Sequence, residues 1–217
     1  MNVYDQLQAQ TNSNDTVTKP NKISSICVFC GSSPGNNPVY LEQTNAFAKQ
    51  MLKNGYNLVY GGGTVGLMGM LARTIHEGGG GVTGIIPAPL APREISGECI
   101  GNTIVVADMH TRKAKMSSLC DAFVALPGGF GTLEELFEVI TWQQLGIHVK
   151  PIGLLNINGF FNNLLAFIDL SITSGFISEI FRNILVVESD PEKLLEKLAK
   201  HTPPTTPIKW IIKEDQL

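Results

Sequence analysis

The chain has 217 residues, 43% of them hydrophobic, and a formal net charge of -3 at pH 7. This length suits one α/β domain with a full hydrophobic core and is short for two. The slightly acidic balance gives no electrostatic basis for nucleic-acid binding, so a small-molecule ligand is favoured.

Residues 1–22 are polar and lack the basic segment and apolar run that together define a secretory signal. We therefore expect a disordered tail and a cytoplasmic protein. No run of ~18 or more apolar residues occurs, so no membrane partner is expected. The 4 cysteines do not make a disulfide framework.

Short apolar runs rich in Val and Ile alternate with longer helical patterns through the rest of the chain. This alternation predicts a single α/β domain with a mainly parallel sheet flanked by helices on both faces. A Pro/Thr-rich extension with an apolar anchor at Trp210 follows at 202–217. Strands are predicted at 23–30, 56–60, 81–87, 103–108, 121–127, 151–156 and 184–188, and helices at 38–54, from Gly66, from Thr132, at 160–173 and at 191–201.

Cys27 and Cys30 form a CxxC pair in the first predicted strand. The spacing is compatible with a redox or zinc site. Residues three apart on a strand point to opposite faces, however, and no second cysteine pair follows. We therefore expect core cysteines.

Three predicted strands end in glycine-containing turns, at 30–35, 60–69 and 126–132. The carboxyl ends of parallel strands meet at one edge, where glycines admit a ligand and helix N-termini bind phosphate. The pattern favours a nucleotide-type ligand, with Ser32, Gly62 and Gly63 among the candidate contacts. The alternative is that these glycines serve only the strand-to-helix turns.

Gly61, Gly63 and Gly66 match the GxGxxG pattern of dinucleotide-binding proteins. That pattern requires an acidic residue ~20 positions later, at the tip of the next strand, where this chain has only apolar residues and prolines. The GxxxxGK[ST] loop of nucleoside triphosphatases is also absent. With the dinucleotide and triphosphate motifs excluded, a ligand the size of a nucleoside monophosphate is favoured.

The helix after the third glycine loop carries several carboxylates. Thr132 and Glu135 have the spacing of a capping box, which would explain both without function, and Glu138 fits a solvated face or a partner of Glu134. Alternatively, a carboxylate one turn into a phosphate-binding helix lies ~5 Å further along the ligand. There it could stabilise an oxocarbenium-like transition state, as in glycosidic cleavage.

The segment 108–120 places Arg112 and Lys113 on the same predicted helix side as Met109 and Met116. Snorkelling of long basic side chains over apolar surface is one explanation. The other is that Arg112 points into the cleft and holds phosphate, hydroxyl or base.

Glu94, in the loop after the third strand, could accept hydrogen bonds from ribose or base, although a solvated loop glutamate is the alternative. The 4 histidines lack metal-ligand spacing, and no metal or cofactor is expected. Met68, Met116 and Trp142 could line a pocket for a base substituent or belong to the core.

Three motifs resemble the LOG (LONELY GUY) family: PGGFGTLEE at 127–135, GGGTVGLMG at 61–69 and MHTRKAKM at 109–116. The similarity covers about Ile23 to His201, so a Rossmann-like LOG domain is expected at 23–201. The motif PGGxGTxxE is highly specific and is complete here, with Glu135 in its last position.

The resemblance implies hydrolysis of the N-glycosidic bond of AMP or an N6-substituted, cytokinin-type AMP. Arg112 and Glu135 take the catalytic roles. The resemblance also implies a homodimer or higher homo-oligomer. The label "lysine decarboxylase" often attached to the family is not supported, because no pyridoxal phosphate motif is visible. The residues implied to bind substrate are Glu94, Lys113, Gly128, Gly129, Phe130, Gly131, Thr132, Leu133, Glu134 and Thr141.

The alternative function is a non-enzymatic nucleotide-binding or carrier protein, because related folds bind nucleotides without cleaving them. Such a binder would need the glycine loops but no carboxylate beside the sugar. The pairing of Arg112 with Glu135 therefore favours the enzyme.

Overall fold

A computed structural model of the protein describes residues 22–94 and 98–204, with side chains at all of these positions except 93 and 94. Within this part of the chain, seven strands form one sheet. The strands are β1 (Ser25–Phe29), β2 (Asn57–Tyr60), β3 (Val82–Pro87), β4 (Asn102–Val106), β5 (Ala122–Ala125), β6 (Ile152–Leu155) and β7 (Leu185–Glu188).

All neighbouring strands pair in parallel, in the order β4-β3-β2-β1-β5-β6-β7. In the central register, Val28 of β1 lies opposite Tyr60 of β2 and Val124 of β5. The connections run outward from β1 through β2 and β3 in one direction, and from β5 through β6 in the other. The carboxyl ends of β1 and β5 therefore flank the switch point, where such sheets bind ligands.

The helices connect the strands and cover both faces of the sheet. They are α1 (Val39–Lys53), α2 (Gly66–Glu77), the short α3 (Ala91–Glu94), α4 (Met109–Ser118), α5 (Phe130–Gln144), α6 (Asn162–Thr173) and α7 (Pro191–Lys200). None of the helices in the described ranges is long and apolar enough to cross a membrane.

The core consists of two hydrophobic layers, one on each face of the sheet. Ile26 and Val28 of β1 belong to the layer packed by α1, α2 and α7, whereas Cys27 and Phe29 belong to the layer packed by α4, α5 and α6. This alternation is the strand period of two acting on a strand buried on both faces. The predicted fold class, an α/β domain with a parallel sheet between two helical layers, is confirmed.

Two predicted helix starts are wrong. α5 begins at Phe130 rather than Thr132, because the glycine-rich backbone enters the helix two residues earlier. α6 begins at Asn162 rather than 160, because Asn158 (φ 51°) and Gly159 (φ 69°) adopt left-handed conformations that interrupt the helical path.

Some sequence predictions lie outside the described residues. They are the disordered tail, of which only Lys22 is described, and the extension beyond Pro204. The backbone of Glu94 ends α3, but its side chain belongs to the part that is not described. Its predicted contact with ligand stays a prediction.

Candidate active site

A cavity of about 350 Å³ lies at the switch point between β1 and β5. Its walls are the loops 31–35 and 127–129, together with Tyr40, Leu67 and Phe160. This volume is within the range of small-molecule pockets, ~300–1,000 Å³. The predicted glycine loops at 30–35 and 126–132 thus line one crevice, and the third segment, 60–69, which follows β2, contributes Leu67 to its wall.

Backbone hydrogen bonds fix these loops to one another. Gly31 N–H donates to the Pro127 carbonyl (3.0 Å), which ties the loop after β1 to the loop after β5. Leu67 and Met68 N–H donate to the Gly31 carbonyl at 3.1 and 3.3 Å. Because Gly31 occupies these donors of α2, the N-terminus of α5 is the better anion site.

The N-terminus of α5 opens towards solvent without a side-chain cap. Gly129 is the N-cap in an extended conformation, and it makes no side-chain cap hydrogen bond to the first turn. A Cβ atom added at Gly129 or Gly131 would have no heavy atom within 4 Å. Uncapped N–H groups facing free space at the positive end of a helix dipole can bind phosphate.

Thr132 and Glu135 do not form the capping box that was one explanation of their spacing. Both lie inside α5, with exposed fractions of 4% and 9%, because the cap is Gly129. The capping-box explanation is therefore wrong. Thr132 packs on Gly128, where an added Cβ would lie 2.1 Å from the Thr132 hydroxyl oxygen.

Arg112 extends from α4 towards the end of β2. Its side chain is only 5% exposed, and its Nη2 donates to the Gly61 carbonyl at 3.0 Å. Its Nη1 lies 3.7 Å from the sulfur of Met109. The snorkelling explanation is wrong for Arg112, since its guanidinium is buried rather than in water.

The charge of Glu135 bears on the pKa of two thiols, Cys27 in β1 and Cys30 just after it, and the charge of Arg112 bears on that of Cys27. Burial raises the pKa of the Cys30 thiol, and the charge of Glu135 raises it further. For Cys27, burial, the neighbouring Cys120 and Glu135 raise the pKa, whereas Arg112 lowers it. A buried carboxylate and a buried guanidinium thus lie above the centre of the sheet. The protonated thiols, in opposite core layers, argue against a redox or zinc site at the CxxC pair.

Lys113 lies between two carboxylates of α5. Its Nζ is 2.5 Å from Glu134 Oε1 and 3.0 Å from Glu138 Oε2. Burial alone would lower the pKa of Lys113, but hydrogen bonds and charges from both glutamates outweigh it and raise the pKa. Glu138 is therefore neither simply solvated nor paired with Glu134; both carboxylates share one ammonium.

The other predicted contacts are spread around this edge of the sheet. Ser32 is exposed on the cavity wall, whereas Gly62 and Gly63 are buried. Phe130 is 93% exposed at the start of α5, and Thr141 is exposed further along it, where its hydroxyl donates to the Phe137 carbonyl at 2.7 Å. The structure thus gathers Ser32, Gly128 and Gly129 at the cavity and places Thr141 away from its lining.

The sequence reasoning missed Gly61, Tyr40 and Phe160. Gly61 was part of the glycine loop at 60–69 and of the motif GGGTVGLMG but was not named as a site residue, yet a Cβ there would lie 2.0 Å from Arg112 Nη2. Tyr40 and Phe160 form an edge-to-face ring pair, with centroids 6.0 Å apart, on the cavity wall. No short-range pattern could have paired two aromatic residues from segments so distant in sequence.

Met68 and Met116 are buried in the two core layers, as the core alternative predicted. Trp142 borders a small cavity of about 10 Å³ beside Glu135. Among the described residues, no three His, Cys, Asp or Glu side chains come together as metal ligands.

The arrangement combines an open helix N-terminus with a buried cation and a buried carboxylate above the same strands. The first can hold an anion. The carboxylate can stabilise positive charge that develops on the ligand, or can orient water, and its effect is strengthened because both charges are shielded from solvent.

A family model described as "Possible lysine decarboxylase" matches residues 68–198. The chain is 54% identical over 178 residues to a cytokinin riboside 5'-monophosphate phosphoribohydrolase of Arabidopsis thaliana, covering 82% of this chain and 84% of that protein. It is 52% identical to a probable enzyme of the same name in Oryza sativa subsp. japonica, covering 82% of this chain and 73% of that protein.

Solved structures with the same fold include the molybdenum cofactor binding protein of Rippkaea orientalis, with a TM-score of 0.59, 24% identity and coverage of 83% of this chain and 96% of that one. The molybdenum cofactor carrier protein of Chlamydomonas reinhardtii has a TM-score of 0.58 and 20% identity, covering 81% of this chain and 97% of that one. At these identities the likeness concerns the fold alone.

Proposed function

Because this chain belongs to the LOG (LONELY GUY) family of cytokinin riboside 5'-monophosphate phosphoribohydrolases, we propose that it hydrolyses the N-glycosidic bond of AMP or an N6-substituted AMP. The products are the free base and ribose 5-phosphate. The observation that carries this function is the identity of 54% over 82% of the chain to a phosphoribohydrolase. The complete motif at 127–135 supports it.

The 5'-phosphate is proposed to bind at the N-terminus of α5. The N–H groups of the first turn point towards this position, and the space beside Gly129 and Gly131 is open. Ser32 lies on the facing loop and can donate its hydroxyl to a phosphate oxygen. The segment Gly128 to Thr132 thus serves as the phosphate cradle.

Glu135 is proposed to face the sugar. As the bond between C1' and the base nitrogen breaks, its electron pair leaves with the base and the ring acquires oxocarbenium character. A carboxylate beside C1' stabilises that cation and can accept a proton from the attacking water, whose hydroxyl adds to C1'. The departing base takes up one proton from solvent and becomes the free base, and the carboxyl group returns its proton to solvent. Arg112, permanently charged, binds phosphate, a ribose hydroxyl or the base, and does not donate protons.

The remaining predicted contacts stay proposals of ligand binding. They rest on the match to the family motifs, and for Lys113 and Glu134 the structure supplies an ion pair between the two residues. The set comprises Gly62, Gly63, Glu94, Lys113, Phe130, Leu133, Glu134 and Thr141.

Decarboxylation of lysine, named as possible in the family description, is not supported by the site. That reaction uses pyridoxal phosphate attached to a lysine as a Schiff base, and the lysine must lose its proton to react. Lys113 has a raised pKa, because Glu134 and Glu138 stabilise its charged form.

We also propose that the protein acts in the cytoplasm as a homodimer or higher homo-oligomer. All four cysteines have free thiols, which suits a reducing compartment. Exposed apolar side chains on α5 and α6, among them Phe137, Phe167 and Leu170, offer a surface for a second copy.

The first experiment compares purified protein with its Glu135→Gln variant on AMP and N6-isopentenyl AMP, with products separated by liquid chromatography. Wild type is expected to release base and ribose 5-phosphate, and the variant to be slower by roughly 10²-fold or more. Nucleotide binding without base release by wild type would assign the protein to the carriers instead. Full turnover by Glu135→Gln would refute the role of Glu135.

A further inference from the structure

The ion pairs of Lys113 join the two helices that carry the proposed catalytic residues. Lys113 follows Arg112 on α4, whereas Glu134 precedes Glu135 on α5. The Lys113 ammonium contacts Glu134 at 2.5 Å and Glu138 at 3.0 Å, on successive turns of α5. Any sliding or rotation of α4 against α5 would break at least one of these contacts.

This cluster is more than a surface ion pair. The Lys113 side chain is 10% exposed and that of Glu138 is 22% exposed. Glu134 and Glu138, four residues apart on one helix, repel each other unless a cation lies between them. Glu134 is half exposed, with 50% of its side chain accessible, so removal of the cation leaves mainly Glu138 as an unpaired, largely buried carboxylate beside a second negative charge.

The cluster also adjoins Glu135. Lys113, Glu135 and Glu138 border the same cavity of about 10 Å³, together with apolar side chains that include Phe29 and Trp142. Little free space separates Glu135 from the cluster of Lys113, Glu134 and Glu138, which we call the clamp. A shift of the clamp is therefore transmitted to Glu135.

We propose that Lys113, held between Glu134 and Glu138, is a positioning residue that sets α4 against α5 and thereby Arg112 against Glu135. This inference rests on the proposed hydrolase function. It differs from the family-based prediction that Lys113 binds substrate, because here the ammonium acts through the helix pair. A misplacement of ~1 Å at a catalytic group can cost ~10²-fold in rate.

The test uses full-length protein in five forms: wild type, Lys113→Met, Lys113→Arg, Glu138→Gln and Lys115→Met. Lys115→Met is the matched control, since Lys115 is an exposed lysine on the same helix and outside the site. Steady-state hydrolysis of N6-isopentenyl AMP gives kcat and KM, and thermal unfolding verifies that each variant is folded. Amide hydrogen exchange of α4 in ligand-free protein reports the helix contact independently of turnover.

Lys113→Met is expected to lower kcat by ~10²-fold and Glu138→Gln by ~10-fold, with KM within ~3-fold of wild type in both. Lys113→Arg is expected to recover most of the rate, because a guanidinium can pair with both carboxylates. Exchange of α4 amides should become roughly 3- to 10-fold faster in Lys113→Met and stay unchanged in Lys115→Met.

Glu138→Gln is the decisive variant, because it weakens the clamp and leaves the ammonium available to a ligand. A raised KM with unchanged kcat in Lys113→Met, beside normal kinetics in Glu138→Gln, would overturn the proposal in favour of direct substrate binding. If wild type releases no base, the hydrolase function fails instead. In that case unchanged α4 exchange in Lys113→Met would overturn the clamp, and faster exchange would support it.

Discussion

At the scale of single residues, Gly61 and Arg112 share one small space. A Cβ at Gly61 would lie 2.0 Å from Arg112 Nη2, which is the far end of a flexible side chain. We expect Gly61→Ala to fold but to displace the guanidinium, with kcat/KM for base release lower by ~10²-fold. A thermal melt tests whether Gly61→Ala is folded, and steady-state kinetics measure its kcat/KM. Unchanged kinetics would mean that the position of Arg112 is not critical.

At Gly129, in contrast to Gly61, there is room for a side chain. An added Cβ there meets no heavy atom within 4 Å, and the backbone is extended. Gly129→Ala should therefore leave the melting temperature unchanged. Its methyl group would enter the proposed phosphate space and raise KM roughly 10-fold. Titration with inorganic phosphate provides a second measurement. Equal phosphate affinity of wild type and Gly129→Ala would show that phosphate does not bind at the N-terminus of α5.

His148 is expected to make stability depend on pH. Its Nε2–H donates to the Val139 carbonyl (2.9 Å) and its Nδ1 accepts from Lys150 N–H (3.1 Å), an arrangement that only the neutral ring can make. Burial, partly offset by the Val139 hydrogen bond, lowers the pKa of His148 to about 4.

The pKa of His148 in the folded protein lies below the usual ~6.5. The neutral ring therefore contributes to the free energy of unfolding above pH ~6.5, and this contribution is lost as pH falls towards 4. The loss amounts to at most about 3 kcal/mol of unfolding free energy. Urea denaturation at several pH values measures the free energy of unfolding of wild type and of His148→Gln. The stability of the variant should decline less between pH ~6.5 and 4. Parallel curves for the two proteins would contradict the assignment.

At the scale of elements, the N-cap of α4 supports the site. The Asp108 carboxylate accepts from Thr111 N–H at 2.8 Å, and the backbone hydrogen bond from Thr111 is the largest cause that lowers the pKa of Asp108. Asp190 caps α7 in the same way through Lys193 N–H at 2.9 Å. α7 packs in the core layer opposite to that of α4.

We expect Asp108→Ala and Asp190→Ala each to lower the melting temperature by roughly 3 °C. Only Asp108→Ala should also reduce kcat, because α4 presents Arg112 and Lys113. Asp108→Asn retains an acceptor and should recover most of both losses. Equal kinetic effects of the two caps would show that the fraying of α4 is not felt at the site.

Element positions were predicted better than element ends. Six of the seven strands of the described sheet lie within their predicted runs, and β4 begins one residue before its run, since buried parallel strands are continuous apolar segments between turns. The starts of α5 and α6 were placed wrongly because backbone conformation at Gly129 and Asn158 decides them. Side-chain pattern carries little information at such positions.

At the scale of the whole molecule, the outer faces of α5 and α6 expose Phe137, Phe167 and Leu170. Light scattering is expected to give at least twice the 23.5 kDa mass of one chain. Phe137→Glu should shift the protein towards the monomer, because a charge would be buried in the interface. Lys49→Glu, on α1 in the other layer, is the control. A monomeric wild type would contradict the proposed assembly.

The sequence by itself determined the α/β class, the glycine loops at one edge of the sheet, and the family to which the chain belongs. These depend on local periodicity and on contiguous motifs such as PGGFGTLEE, which are readable without coordinates.

Only the tertiary structure decided which explanation of each charged residue holds. Thr132 is not a cap, Arg112 is buried against Gly61, and Lys113 bridges Glu134 and Glu138. The cavity wall of Tyr40 and Phe160 joins segments far apart in the chain. These outcomes depend on how α4 and α5 pack over the sheet, because contacts between distant segments set burial and charge pairing, and local pattern does not encode them.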